Sequence, residues 1–260
     1  MHTSRLRSKV RGLTVGLALA AVLAGCANGE AKFTGGPRGL APSPSAGPLD
    51  RGAGLRPYGD GAWPAYAATP VASRLSVRDH PGGKVIRTMA ARLPLGVPLT
   101  LLVVGRRPGW VDVELPVRPN GTSGWVREGD VELTGLAYGL EVDRSAHRLK
   151  LFDRDHLMRT FAVGIGTRET PTPGGLYYLI ELLRPPTPTG PYGPYAFGLS
   201  GFSTVIRHFN GGDGVIGLHG TDDPAGVGRD VSHGCVRMYN RDITYLAHLL
   251  PLGTPIRINA

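Results

Sequence analysis

Cysteine is nearly missing from this chain: there are two, Cys26 and Cys235. A scaffold stapled by several disulfides is therefore excluded. A membrane-spanning run is missing too. The apolar stretch at residues 13–24 has 12 residues, where a spanning helix needs roughly 20. Helical periodicity is scarce, with one convincing stretch near the C-terminus. Basic residues outnumber acidic ones, 29 to 20. They form no cluster with interleaved aromatics, so no nucleic-acid partner is expected. Glycine and proline are plentiful, at 39 and 23 among 260 residues. That composition predicts a β-rich chain with many turns.

The first segment reads as an export signal. Arg5, Arg7, Lys9 and Arg11 precede the short apolar run, the order expected of a secretory n-region and h-region. The run ends in Leu23-Ala24-Gly25-Cys26, which resembles the lipobox of bacterial lipoproteins. The alternative is an ordinary signal peptide ending near a cysteine. The lipobox resemblance implies removal of residues 1–25 and lipidation of the Cys26 thiol. The mature protein would then be exported and anchored to the outer face of the cytoplasmic membrane. Removal takes four basic residues and no acidic one, so a formal charge of +9 becomes +5. A mild positive excess suits an anionic cell envelope.

Residues 26–67 are dominated by Gly, Pro, Ala and Ser and read as an extended tether. Residues 68–134 change to short β-type runs such as RLSVRD, KVIRTM, PLTLLVVG and WVDVEL, separated by turn residues. Trp110 and Trp125, in two Gly-Trp-Val repeats, are expected in the core. This unit resembles the small SH3-like barrels of bacterial cell-wall proteins, which implies a docking or structural role. A second β set runs over residues 135–260. Three strands joined by tight turns near Ser145 and Arg154 come first, then a strand in GLYYLIELL. A Pro- and Tyr-rich loop is expected over 184–203, with Tyr192, Tyr195 and Phe197 either as a lid contacting substrate or as packing of the loop onto the sheet. TVIRHF, GVIGLH and TPIRIN are expected strands. NRDITYLAHLL is the expected helix, capped by Asn240 with Ile243, Leu246, Ala247 and Leu250 on one face.

If Cys26 is lipidated, Cys235 has no intramolecular partner, and a lone thiol in an exported protein is unusual. It is a small buried hydrophobe or a nucleophile. A nucleophilic thiol needs a proton acceptor nearby. His219 ends its own strand, and His233 lies two residues before the cysteine. An extended backbone would put His233 and Cys235 on one face. Gly234 leaves the backbone open, so its amide can face an oxyanion. Arg237 is placed to hold a carboxylate, and Ser232 opens the segment. His219, His233 and Cys235 with an Asp also make a zinc set. His80, His147, His156, His208 and His248 lack this context and read as structural.

The segments IGLHGT and SHGCVRM, with TPTPGG, GPYAFGLSGF and GGDGVIGLHGT before them, resemble the L,D-transpeptidases with a YkuD-like catalytic domain. The resemblance covers about residues 135–260. It implies a mainly β fold: the small SH3-like barrel, then a β-sandwich-type catalytic domain with one short helix near the C-terminus. It implies Cys235 as nucleophile, His219 as proton donor and acceptor, and the Gly220 carbonyl orienting His219. His233 and the Gly234 amide would serve the oxyanion, and Arg237, where some members carry Asn, would meet substrate. No cofactor is implied. The partners implied are peptidoglycan stem peptides, and the reaction releases D-Ala and forms a 3→3 cross-link. Water as acceptor would give an L,D-carboxypeptidase. A lipoprotein that binds the wall without catalysis is the competing reading.

Overall fold

The computed structural model describes residues 65–208 and 212–259. The expected signal, Cys26 and nearly all of the expected tether lie outside the described residues. Seven strands come first: β1 (Ala65–Pro70), β2 (Arg74–Arg78), β3 (Val85–Ala90), β4 (Leu101–Arg107), β5 (Trp110–Glu114), β6 (Ser123–Arg127) and β7 (Val131–Leu136). They form one sheet in the order β3-β2-β6-β5-β4-β1-β7. The chain then makes β8 (Tyr138–Asp143), β9 (Arg148–Asp153), β10 (His156–Ala162), β11 (Ile165–Gly166), β12 (Gly175–Leu183), β13 (Ala196–Phe202), β14 (Val215–His219), β15 (Asp230–Ser232), β16 (Val236–Arg237), the helix α1 (Asn240–Leu249) and β17 (Pro255–Asn259). Eight of these strands make a second sheet, ordered β10-β9-β8-β17-β12-β13-β14-β16, while β11 pairs with β15. The fold is mainly β with one α-helix among the described residues.

Alternation decides which side chains go inside. In β5, Val111 and Val113 are fully buried, as is Val126 in β6. Their neighbours Trp110 and Trp125 point the other way and are half-buried. The expectation that the two tryptophans are core is corrected: Arg78 and Arg127 stack on Trp110, and Arg107 on Trp125. The apolar rings are covered by guanidinium groups rather than by the core.

Two other expectations change for reasons of backbone bonding. Residues 204–208 form no strand. Arg118 donates to the carbonyls of Ser203, Ile206 and Asp213, and Ser203 Oγ takes the amides of Val205 and Ile206. Side chains satisfy this backbone, so no ladder is needed. The irregular loop is also shorter than expected, because β13 already starts at Ala196. The helix forms where its periodicity predicts, with Ile243, Leu246 and Ala247 buried. Its cap residue is Tyr239, and no side chain caps it. Asn240 is the first helical residue, and its Oδ1 accepts the Thr221 amide at 2.8 Å.

The two sheets share a core. Tyr178, Ile180, Phe202 and Val215 of the second sheet pack in one cluster with Leu75, Leu101 and Val113 of the first. Asn120 makes two hydrogen bonds to the backbone of Phe202, donating to its carbonyl at 2.8 Å and accepting its amide at 2.9 Å. Glu114 is buried at this junction, 4% exposed. Its backbone carbonyl accepts Tyr178 OH at 3.1 Å, and its carboxyl accepts the Ser200 hydroxyl at 3.2 Å. Burial pushes the Glu114 carboxyl up from 4.5 to about 8, against the smaller opposing effect of the Ser200 hydrogen bond. Burial alone pushes Glu181 up to about 7.

Both shifts make stability fall with rising pH. Above about 4.5 the unfolded chain ionises these carboxyls while the folded chain keeps them protonated. The loss runs to about pH 8 for Glu114 and to about pH 7 for Glu181, at roughly 1.4 kcal/mol per pH unit per group. Glu114→Gln keeps the shape and removes the ionisation. Its melting temperature should match the wild type near pH 4.5 and exceed it by a widening margin up to pH 8. Parallel melting curves across that range would show that Glu114 is ionised in the folded protein.

Candidate active site

The parallel pairing of β14 with β16 sets Leu218 opposite Val236 and His219 opposite Arg237. Residues opposite each other in a ladder share a face. Leu218 and Val236 face the core beneath α1, so His219 and Arg237 share the other face. The register continued by one residue sets Cys235 beside Gly217, on the face of His219. Strand spacing and rise put its Cα roughly 8 Å from that of His219. Glycine at 217 leaves the space between them without a side chain. The Met238 amide donates to the His219 carbonyl at 2.8 Å, and Arg237 and Gly164 exchange two backbone hydrogen bonds. The histidine and cysteine segments are thus fixed by backbone pairing before any side chain contributes.

His219 is fully buried. Its Nδ1 lies 2.6 Å from the Gly220 carbonyl oxygen. A carbonyl only accepts, so Nδ1 carries a proton, and in the neutral imidazole the lone pair is on Nε2. Nε2 is buried and has no hydrogen-bond partner. An unpartnered buried nitrogen costs about 1–3 kcal/mol. The expected orienting contact from Gly220 is present as geometry. Cys235 is buried as well, 5% exposed, and is a thiol rather than half of a disulfide.

The turn before Cys235 differs from expectation. Gly234 has φ +116°, a conformation that favours glycine. The backbone is therefore not extended through 233–235, and His233 is exposed while Cys235 is buried. The Gly234 amide donates to Ser232 Oγ at 3.1 Å, and Ser232 Oγ donates to the Cys235 carbonyl at 2.6 Å. Ser232 is 1% exposed. Its expected contact with substrate is corrected: its hydroxyl is used inside the turn. The expected role of the Gly234 amide at an oxyanion is corrected in the same way. Arg237 is half-buried, and its Nε is buried with no partner.

The loop aromatics face inward. Phe197 lies in β13 and is fully buried in the core beneath α1, so it has no surface to offer a substrate. Tyr195 is 9% exposed and packs edge-on against His248 of α1. Tyr192 is 4% exposed, and its ring meets that of His219 edge-on at 5.0 Å between centroids. A lid of three substrate-facing aromatics is corrected to buried aromatics, of which Tyr192 packs on His219 and Tyr195 on the helix. Among the described residues no three His, Cys, Asp or Glu side chains are grouped to hold a metal ion. The zinc set of His219, His233 and Cys235 is therefore not assembled.

Sequence reasoning missed the residues that support the turn. Thr170 Oγ1 donates to the Ser232 carbonyl, as does the Thr167 amide, both at 3.1 Å. Thr172 Oγ1 accepts the Gly166 amide at 2.8 Å. The signal for Thr170 and Thr172 is the Thr-Pro-Thr-Pro run, which carries part of the family resemblance but shows no contact with Ser232 by itself. Asn240 was read as a cap, and its bond to Thr221 crosses 19 residues, beyond any local pattern.

Residues 137–258 match the family described as YkuD, the L,D-transpeptidase catalytic domain. A Bacillus licheniformis protein named as an L,D-transpeptidase YkuD is 36% identical over 123 residues, covering 47% of this chain and 66% of that protein. Its namesake from Bacillus subtilis strain 168 is 36% identical over 124 residues, covering 48% and 67%. The chain thus spans about two thirds of the length of these curated relatives. Among solved structures, an L,D-transpeptidase from Mycobacterium smegmatis is 13% identical, with coverage of 62% and 90% and a TM-score of 0.40. Through its matched residues, this chain belongs to the L,D-transpeptidase catalytic domain family.

Proposed function

We propose that this chain is a cysteine-dependent peptidoglycan L,D-transpeptidase. The observation that carries the reading is the state of His219: Nδ1 is held by a carbonyl, and Nε2 is buried with its lone pair unused. A general base needs that arrangement. In this reading Nε2 takes the proton of Cys235, and the sulfur attacks the carbonyl between the L-centre at stem position three and D-Ala. The C–N bond breaks, the imidazolium returns its proton to the departing amine, and a thioester remains. An amine from a neighbouring stem, or from another envelope protein, then gives its proton to Nε2 and attacks the thioester. The thiolate leaves and an amide forms, a 3→3 cross-link when the amine belongs to a stem. Water in place of the amine gives hydrolysis.

Arg237 beside His219 supplies the positive charge for a stem carboxylate, and its Nε is open to a partner. His233 at the exposed rim serves the oxyanion. Tyr192 serves the imidazole by packing. No step of this reaction uses a cofactor. Cys26 is the lipid anchor, and residues 26–67 carry the enzyme away from the outer face of the cytoplasmic membrane. The seven-stranded sheet is the SH3-like unit. Its shared core with β12–β14 favours a structural and docking role over an independent binding module.

Cys235→Ala should abolish both D-Ala release from a tetrapeptide-stem muropeptide and the mass increase on incubation with a carbapenem. Retained product from a folded Cys235→Ala protein would remove the nucleophile assignment. His219→Ala should lower turnover by about 10²- to 10⁴-fold. His248→Ala, whose Nδ1 bonds only to its own helix at Thr244, should stay within about twofold. Equal losses in the two variants would remove His219 as base.

A further inference from the structure

The peptide unit between Gly220 and Thr221 is held from both sides. Its carbonyl oxygen receives His219 Nδ1–H at 2.6 Å. Its N–H donates to Asn240 Oδ1 at 2.8 Å. A peptide unit is planar, so its carbonyl and N–H turn together. Rotation of this unit would swing the carbonyl away from Nδ1. Glycine offers little resistance to such a rotation, so the plane needs an outside restraint. On the other side of Gly220, its own amide donates to the Tyr195 carbonyl at 3.2 Å.

Asn240 is shaped for this restraint. Its Oδ1 sits between Gly193 and Gly220, so close that a Cβ on either glycine would collide with it. The same added Cβ atoms would meet the facing glycine's Cα, at 2.7 Å from position 193 and 3.0 Å from position 220. Two glycines thus form a slot that the amide oxygen fills. Asn240 is fixed from behind as the first residue of α1, where its carbonyl accepts Thr244 Oγ1 at 2.7 Å. Its side-chain oxygen goes to the Thr221 amide, in another element.

We propose that Asn240 is a positioning residue for the reaction: by locking the 220–221 peptide plane it keeps the Gly220 carbonyl on His219 Nδ1, which fixes the tautomer and aim of the base. This rests on the reading of His219 as base. Displacing a catalytic group by about 1 Å can cost on the order of 10²-fold, so the restraint acts on rate rather than on substrate affinity.

The test uses the full chain and two loss variants. Asn240→Ser keeps a residue favoured at helix starts but is too short to reach the Thr221 amide. Asn240→Ala removes the acceptor outright. Asn240→Asp retains an acceptor of the same length. Each is measured for melting temperature, for kcat and KM on a tetrapeptide-stem muropeptide, and for the rate of carbapenem acylation of Cys235. The Ser and Ala variants should lose about 10- to 100-fold in kcat and in acylation rate, with KM within about twofold. The Asp variant should recover most of the loss. The decisive comparison is in a His219→Ala background, where Asn240→Ser should cost almost nothing further, because coupled residues are not additive. An undiminished rate in a folded Asn240→Ser protein, or an equal loss with and without His219, overturns the positioning role while leaving the base intact. A His219→Ala protein as fast as wild type overturns the base reading and this inference with it.

Discussion

The site depends on the parallel pairing of β14 with β16. A parallel neighbour cannot be reached through a tight hairpin and needs a crossover. Residues 220–235 supply it. Within that crossover the chain makes β15 against β11, turns at Gly234 and returns beside β14 with Arg237 opposite His219. The backbone segments that carry His219, Cys235 and Arg237 are therefore held by main-chain hydrogen bonds. Side chains then refine the placement: Ser232 closes the turn, Asn240 holds the peptide after His219, and Tyr192 covers the ring.

The burial of His219 follows from the second structural constraint, the shared core. The face of β12–β14 that carries His219 also carries Tyr178, Ile180 and Val215, and these pack with the seven-stranded sheet. Without that cover the face would be open to water. The junction is not purely apolar. Glu114, Ser200 and Tyr178 form a buried polar cluster there, and the protonated carboxyl is the form that burial favours. The first sheet thus supports the site without contributing a reacting group. Its outer face, with Trp110 and Trp125 beneath Arg78, Arg107 and Arg127, points away from the shared core.

The difference between expected and observed roles lies mostly in hydrogen-bond accounting. Gly234 and Ser232 read as groups open to a substrate, yet each is spent on the other. Phe197 and Tyr195 read as lid residues of a Pro-rich loop, yet Phe197 lies inside β13, whose residues are all buried, and Tyr195, just before it, packs on His248. Residues 204–208 read as a strand by composition, but Arg118, distant in sequence, binds the Ile206 carbonyl and the flanking carbonyls of Ser203 and Asp213. Asn240 read as a cap because it starts a helix, and its oxygen went instead to a peptide in another element.

The sequence by itself determined the β-rich class, most of the strands, the helix near the C-terminus, and His219 and Cys235 as candidates for one site. Those features are local: alternation, turn residues, a 3.6-residue period and a rare residue type in a glycine context can each be read within a few positions. The tertiary structure decided which nitrogen of His219 meets a carbonyl, which face carries the ring, and which neighbours are consumed in holding it. These follow from contacts across tens of residues, where a donor or acceptor is assigned only once the sheet register has brought its partner within about 3 Å.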